Sequence, residues 1–158
     1  MDAYKSLVKL LKEKQLKIST AESITGGKII SSIIQIPGAS NITEMSYIVY
    51  SNNAKIKALG VSKKTIDKYG IVSKETALEM ARRTKQLTKS NVVISTTGEA
   101  GPVVNDNNVN IGTVCFGLII NDKEYTYLEK FSGDRLDIID DSSKFIINKL
   151  ISKIKWIF

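Results

Sequence analysis

Three short stretches of this sequence carry residue types that could do chemistry, and histidine is in none of them. The chain contains no histidine at all. That removes Ser-His-Asp and Cys-His activation of a nucleophile, and with them the commonest zinc ligand. Proton transfer is left to Lys, Tyr, Asp, Glu or bound water. The first stretch is Thr20-Ala21-Glu22-Ser23, the end of a β-type run, followed by Ile24-Thr25-Gly26-Gly27 and then an apolar-periodic segment. A serine at such a turn either caps the helix or acts as a nucleophile at its mouth. In the second case Gly26 and Gly27 let the backbone approach closely, and N–H groups around Thr25–Gly27 form an oxyanion hole or anion cradle.

The second stretch is YSNNAK, residues 50–55. Tyr50 ends a strand, Ser51 has the character of an N-cap, and Lys55 falls in the first turn of a short helix, where the helix dipole is positive. A solvated lysine beside a strand-end tyrosine is one reading; a lysine held neutral as a base is the other. Lowering a lysine pKa from about 10.4 to between 7 and 8 costs about 4 kcal/mol. The dipole supplies only about 0.3–1 kcal/mol of it. A catalytic Lys55 must therefore be buried. The third stretch, STTGEAGP at 95–102, is a glycine-punctuated loop closing a buried-type strand and holding Thr97, Gly98 and Gly101. Ligands in open α/β sheets gather at the carboxyl ends of strands, so three parallel strands would bring all three loops to one crevice.

The elements that must position these loops follow from periodicity. Helices are predicted over Ala3–Gln15, from Gly26 to before Pro37, over Asn52–Leu59, over Ser62–Tyr69, from a Ser73 cap to Thr88 with Ala77, Met80, Ala81 and Leu87 inward, and over Asp134–Lys155. Strands are predicted over Lys17–Ala21, Met45–Tyr50 and Asn91–Thr97, with a hairpin of Gly112–Asn121 and Glu124–Phe131. Residues 103–110 read as a loop. Helices alternating with strands, and a hairpin near the end, imply an α/β fold: a three-layer α/β/α sandwich on a mixed, mostly parallel sheet.

At 158 residues the chain has the size of one domain, 1–158. No apolar run approaches a membrane span, and the N-terminal segment lacks the pattern of a signal peptide, so a cytoplasmic protein with no membrane partner is expected. Cys115, in the apolar run TVCFGLII, reads as a core thiol. The net charge is +7, but arginine occurs only at Arg82, Arg83 and Arg135 and the lysines are scattered. A nucleic-acid surface is therefore not expected, while anionic substrates would be drawn in. Asp140-Asp141 could suggest a metal, but acids in the first turns of a helix suit its dipole. No metal and no cofactor are expected. The apolar C-terminal end, Ile154 to Phe158, could be core or the interface of a homo-oligomer.

Taken in order, TAESITGG (20–27), YSNNAK (50–55), GIVSKETALEMA (70–81), TGEAGP (97–102), IGTV (111–114) and FSGDR (131–135) resemble the nicotinamide-nucleotide amidohydrolase family. That family is also called the C-terminal domain of competence/damage-inducible protein A, and the chain looks like its stand-alone form. The resemblance implies hydrolysis of the carboxamide of nicotinamide mononucleotide to nicotinate mononucleotide and ammonia. It places the nucleophile on Ser23 and the catalytic lysine and tyrosine on Lys55 and Tyr50. Neutral Lys55, with Tyr50 relaying or fixing the proton, would activate Ser23. Substrate contacts are expected from Thr25, Gly26, Gly27, Asn52, Thr97, Gly98, Gly101 and Arg135, with Arg135 and the 98–101 backbone as donors to the phosphate. An ion pair between Arg135 and nearby aspartates is the alternative. Three departures stand out: Ile24 in place of cysteine, Glu99 in place of an apolar residue, and a 103–108 loop lacking the usual glycines. A non-catalytic nucleotide-binding protein, or an accessory protein of competence or DNA damage with the same fold, is the competing reading.

Overall fold

The computed structural model describes residues 2–104, 106 and 109–158. Within them one mixed sheet runs in the spatial order β2-β1-β3-β4-β5. Its strands are β1 (Ile18–Glu22), β2 (Tyr47–Ile48), β3 (Val92–Gly98), β4 (Thr113–Ile120) and β5 (Lys123–Lys130). β1 lies parallel to β2 and β3, whereas β4 is antiparallel to β3 and β5. Four strands thus point one way and β4 alone is reversed. Helices α1 (Asp2–Glu13), α2 (Lys28–Ile34) and α6 (Arg135–Ile157) cover one face. The other face carries α5 (Lys74–Thr88), α4 (Lys63–Tyr69) and α3 (Asn52–Ala54), which continues as a π-helical turn over Lys55–Leu59. This is the α/β/α sandwich on a mixed sheet that the alternation of elements implied. No helix among the described residues is long and apolar enough to cross a membrane.

β1 and β4 are buried along their whole length, and β3 up to Thr97. Strands covered on both faces read as continuous runs, and the pleat decides only which layer each residue meets. Val114, Phe116, Leu118 and Ile120 pack with Leu7, Leu11, Ile29 and Ile146. Cys115 and Ile119 turn toward Ala77 and Ala81 of α5. Burial pushes the Cys115 thiol up to about 12, so it behaves as a core residue, as its setting suggested.

Several boundaries differ from expectation, each for a local reason. α1 stops at Glu13 because Gln15 turns left-handed (φ 54°) and Leu16 N–H closes back on the Leu11 carbonyl. β2 shrinks to Tyr47–Ile48 because β1 offers it only Ala21 and Glu22 as partners. Leu87 is exposed rather than inward: it keeps the spacing of the inward face, seven residues after Met80, but the buried residues of α5 (Thr76, Ala77, Met80, Ala81 and Thr84) end before the last turn. Asp134 stands just outside α6 as its N-cap, in a reciprocal capping box with Asp137. At the far end of α6, Ile154 belongs to the core while Trp156 is exposed.

α5 approaches the sheet where β4 carries no side chain. Ser95 Oγ donates to the Ala77 carbonyl and accepts the Gly117 N–H, joining helix to sheet. A Cβ on Gly117 would stand 2.5 Å from both Ala77 O and Ser95 Oγ. Gly117→Ala is expected to push α5 outward and lower the unfolding free energy by about 1–3 kcal/mol. A urea titration measures this, and a midpoint equal to the parent's would show that the helix is not held there.

Candidate active site

Because β2, β1 and β3 are parallel, the loops after all three leave the same edge of the sheet. Ser23 follows β1 directly, and its N–H still donates to the Thr96 carbonyl at 3.1 Å, extending the ladder by one rung. The chain then turns through Gly26 and Gly27, both left-handed (φ 56° and 96°). A Cβ on Gly27 would stand 2.8 Å from Ile48 Cδ1, so glycine is required there on two counts.

Lys55 comes from the next loop. Ser51 caps α3 by accepting the Ala54 N–H, and the helix widens into a π-turn at Lys55 before ending at left-handed Gly60. The Lys55 side chain is 1% exposed. Its Nζ donates to Ser23 Oγ at 3.0 Å and to the Val49 carbonyl at 3.2 Å. It forms no salt bridge among the described residues. Burial alone lowers the amine from its ordinary 10.5 to about 8. The condition set by the energy argument, a buried Lys55, is met. Ser23 is 7% exposed, and as a donor its hydroxyl makes only a long contact among the described residues, 3.4 Å, to the Tyr50 carbonyl. Its proton is therefore free to turn toward a neutral Nζ.

Tyr50 reaches this centre through its backbone rather than its ring. The side chain is 62% exposed and its hydroxyl accepts a 2.7 Å hydrogen bond from Arg135 Nη2. A relay of the Ser23 proton through the phenol is thus not built into this arrangement; Lys55 meets Ser23 directly. Arg135 also donates from Nη1 to the Gly101 carbonyl and has no ion pair among the described residues. The aspartate pairing is therefore replaced by a clasp between the 50 and 101 loops. Gly98 packs where a Cβ would meet Ile24 and the Thr113 carbonyl at 2.9 Å, so it serves close packing. Thr97 is buried and donates to the Ile71 carbonyl, a structural bond. Asn52 is exposed at the start of α3, and its side chain has no hydrogen bond among the described residues.

Two further expectations change. The start of α2 does not present free N–H groups above Ser23, because Ile29 and Ile30 both donate, at 3.0 Å, to the carboxylate of Glu22. Thr25 likewise turns its hydroxyl inward, donating to Glu22 Oε1 at 2.7 Å. The N–H groups of Ile24, Thr25 and Gly27 have no acceptor among the described residues. Glu99 is 3% exposed and accepts the Asp106 N–H, so its carboxylate braces the following loop instead of charging an open pocket. Of that loop, residues 105, 107 and 108 lie outside the described residues. Asp140 pairs with Lys28 on the far side of α2, and no three potential metal-ligating side chains cluster among the described residues. Sequence reasoning missed Glu22. The signal was present: Gly27 offers α2 no side-chain cap, so an acceptor had to come from elsewhere.

A folded-state pKa near 8 against 10.5 unfolded fixes the sign of a pH effect. Between those values the unfolded chain holds a proton that the folded one has released, so stability rises with pH through that window. Below about 8 the buried ammonium costs its full amount, about 3 kcal/mol. Lys55→Met is expected to be more stable than the parent at pH 6, by about 1–3 kcal/mol, and to lose the rise between pH 8 and 10.5. Urea unfolding across pH measures both effects.

The comparisons with known proteins agree with this architecture. A family model described as the CinA C-terminal domain matches residues 2–154. A CinA-like protein of Petrotoga mobilis is 35% identical over 150 residues, covering 95% of this chain and 37% of its own length. A CinA-like protein of Flavobacterium psychrophilum is 42% identical over 134 residues, 85% of this chain and 32% of its own. The chain spans about a third of the length of these curated relatives. The crystal structure of a competence or damage-inducible protein from Enterobacter asburiae superposes with a TM-score of 0.93 at 30% identity, covering 96% of each chain. By sequence over nearly its whole length and by fold, the chain belongs to the CinA C-terminal domain family.

Proposed function

We propose that this chain hydrolyses the carboxamide of nicotinamide mononucleotide, giving nicotinate mononucleotide and ammonia for pyridine nucleotide recycling. The observation that carries the reading is a buried amine, without an acid partner among the described residues, in hydrogen-bond contact with a serine hydroxyl. Such a pair is a nucleophile and its base, and it needs no histidine. The motif resemblance supplies the substrate.

In this mechanism neutral Lys55 takes the Ser23 hydroxyl proton as Oγ bonds to the amide carbon. The oxyanion is met by the unpaired N–H groups of the 24–27 loop. The C–N bond then breaks and the Lys55 ammonium returns its proton to the leaving ammonia. Water, activated by the again-neutral lysine, cleaves the acyl-enzyme and releases the carboxylate. Arg135 and the loop at Gly101 receive the phosphate. Tyr50, whose hydroxyl is held by Arg135, places the substrate rather than moving the Ser23 proton.

Ammonia release from nicotinamide mononucleotide tests this. Ser23→Ala and Lys55→Ala are each expected to reduce turnover by at least about a thousandfold. The parent's kcat/KM should rise with pH and level off above about 8, because only the neutral amine is a base. Tyr50→Phe is expected to raise KM with little change in kcat. A folded parent with no turnover at any pH would overturn the reading in favour of the accessory role suggested by the relatives' names.

A further inference from the structure

Glu22 is a carboxylic acid side chain with 0% exposure, and the mechanism above gives it no task. It has no salt bridge among the described residues. Each carboxylate oxygen instead takes two donors. Oε1 accepts from Thr25 Oγ1 at 2.7 Å and the Ile29 N–H at 3.0 Å. Oε2 accepts from Thr20 Oγ1 at 2.8 Å and the Ile30 N–H at 3.0 Å. The charge is thus housed by the positive end of α2 and two hydroxyls.

A helix cap alone would not need this arrangement. α3, α5 and α6 are capped by residues beside them, Ser51, Ser73 and Asp134. α2 takes its acceptors from the end of a strand, across the two-glycine loop that carries Ser23. The same network continues to Thr96: Thr25 Oγ1 lies 3.0 Å from Thr96 Oγ1, and the Ser23 N–H contacts both the Thr96 carbonyl and hydroxyl. Residues 22, 23 and 25 are all fixed, while Gly26 and Gly27 by themselves would leave the loop free to move. We infer that Glu22 is a positioning residue, which holds Ser23 Oγ against Lys55 Nζ by tying the end of β1 to the start of α2. The inference rests on Ser23 being the nucleophile.

The test is the rate at which a fluorophosphonate labels Ser23, a reaction that reads the nucleophile without depending on the natural substrate. Glu22→Gln keeps the size of the side chain, but its amide nitrogen cannot accept, so one of the two donor pairs is left unmet. Labelling of this variant is expected to be about tenfold to a hundredfold slower, the range that a displacement near one ångström produces. On nicotinamide mononucleotide, kcat should fall while KM stays. The pH midpoint of labelling should remain that of the parent, because burial alone shifts Lys55. Thr20→Val removes one donor and keeps the charge; it should slow labelling in the same direction by a smaller factor, and it decides the matter if Glu22→Gln does not fold. Parental rates in folded Glu22→Gln, or in Thr20→Val where that variant decides, overturn the inference. So does a slower rate with a displaced midpoint, which would make Glu22 a charge acting on Lys55. A parent that is not labelled, beside an equally inert Ser23→Ala, overturns the nucleophile itself.

Discussion

A lysine amine buried to 1% exposure, with no acid partner among the described residues, is the constraint around which the neighbouring structure is arranged. The π-turn that carries Lys55 ends in Leu59, which joins Val49, Val61, Ala21 and Met80 in one apolar cluster. Only two acceptors are left within reach, a carbonyl and a hydroxyl. A neutral amine suits them, since it can donate to the carbonyl and still offer a lone pair to the hydroxyl. Were a carboxylate beside it, the ammonium would be favoured and the base lost. The absence of an acid partner among the described residues is therefore as informative as the contact with Ser23.

Glu22 shows the opposite solution to the same problem, in the residue immediately before the serine that Lys55 contacts. Its carboxylate oxygens are met by backbone N–H groups and hydroxyls rather than by a cation. One ionisable group is buried with two acceptors and its pKa is lowered by that burial, while the other is surrounded by four donors. The helix start that might have served an oxyanion is spent on Glu22, and the loop N–H groups of 24, 25 and 27 remain.

How much of this was legible depended on whether a feature was local or shared. The three loops could be placed on strand ends from their own residues, and their meeting required only that β1, β2 and β3 be parallel. Energy alone made burial the condition for a catalytic Lys55, and the structure meets it. The partnership of Glu22 with Ile29 and Ile30 was harder to read, because an acid at a strand end has many uses and its acceptors' donors are backbone groups without a sequence signature. Arg135 posed a similar difficulty: its nearest acids in sequence, Asp134 and Asp137, cap α6 with each other, and so release the guanidinium to Tyr50 and Gly101. Leu87 misled because it keeps the inward spacing, seven residues after Met80, and periodicity does not show that the buried stretch of α5 ends at Thr84.

The two outer strands of the sheet bear on how copies of this chain can meet. β5 exposes a full strand's length of edge, but it begins with Lys123-Glu124 and ends with Glu129-Lys130, all exposed. β2 is two residues long and offers a second strand almost no ladder. Charge at one border and brevity at the other are both ways in which proteins deter edge-to-edge aggregation. The sheet is therefore poorly suited to templating β-addition from either side, and association between copies is left to helical and loop surfaces.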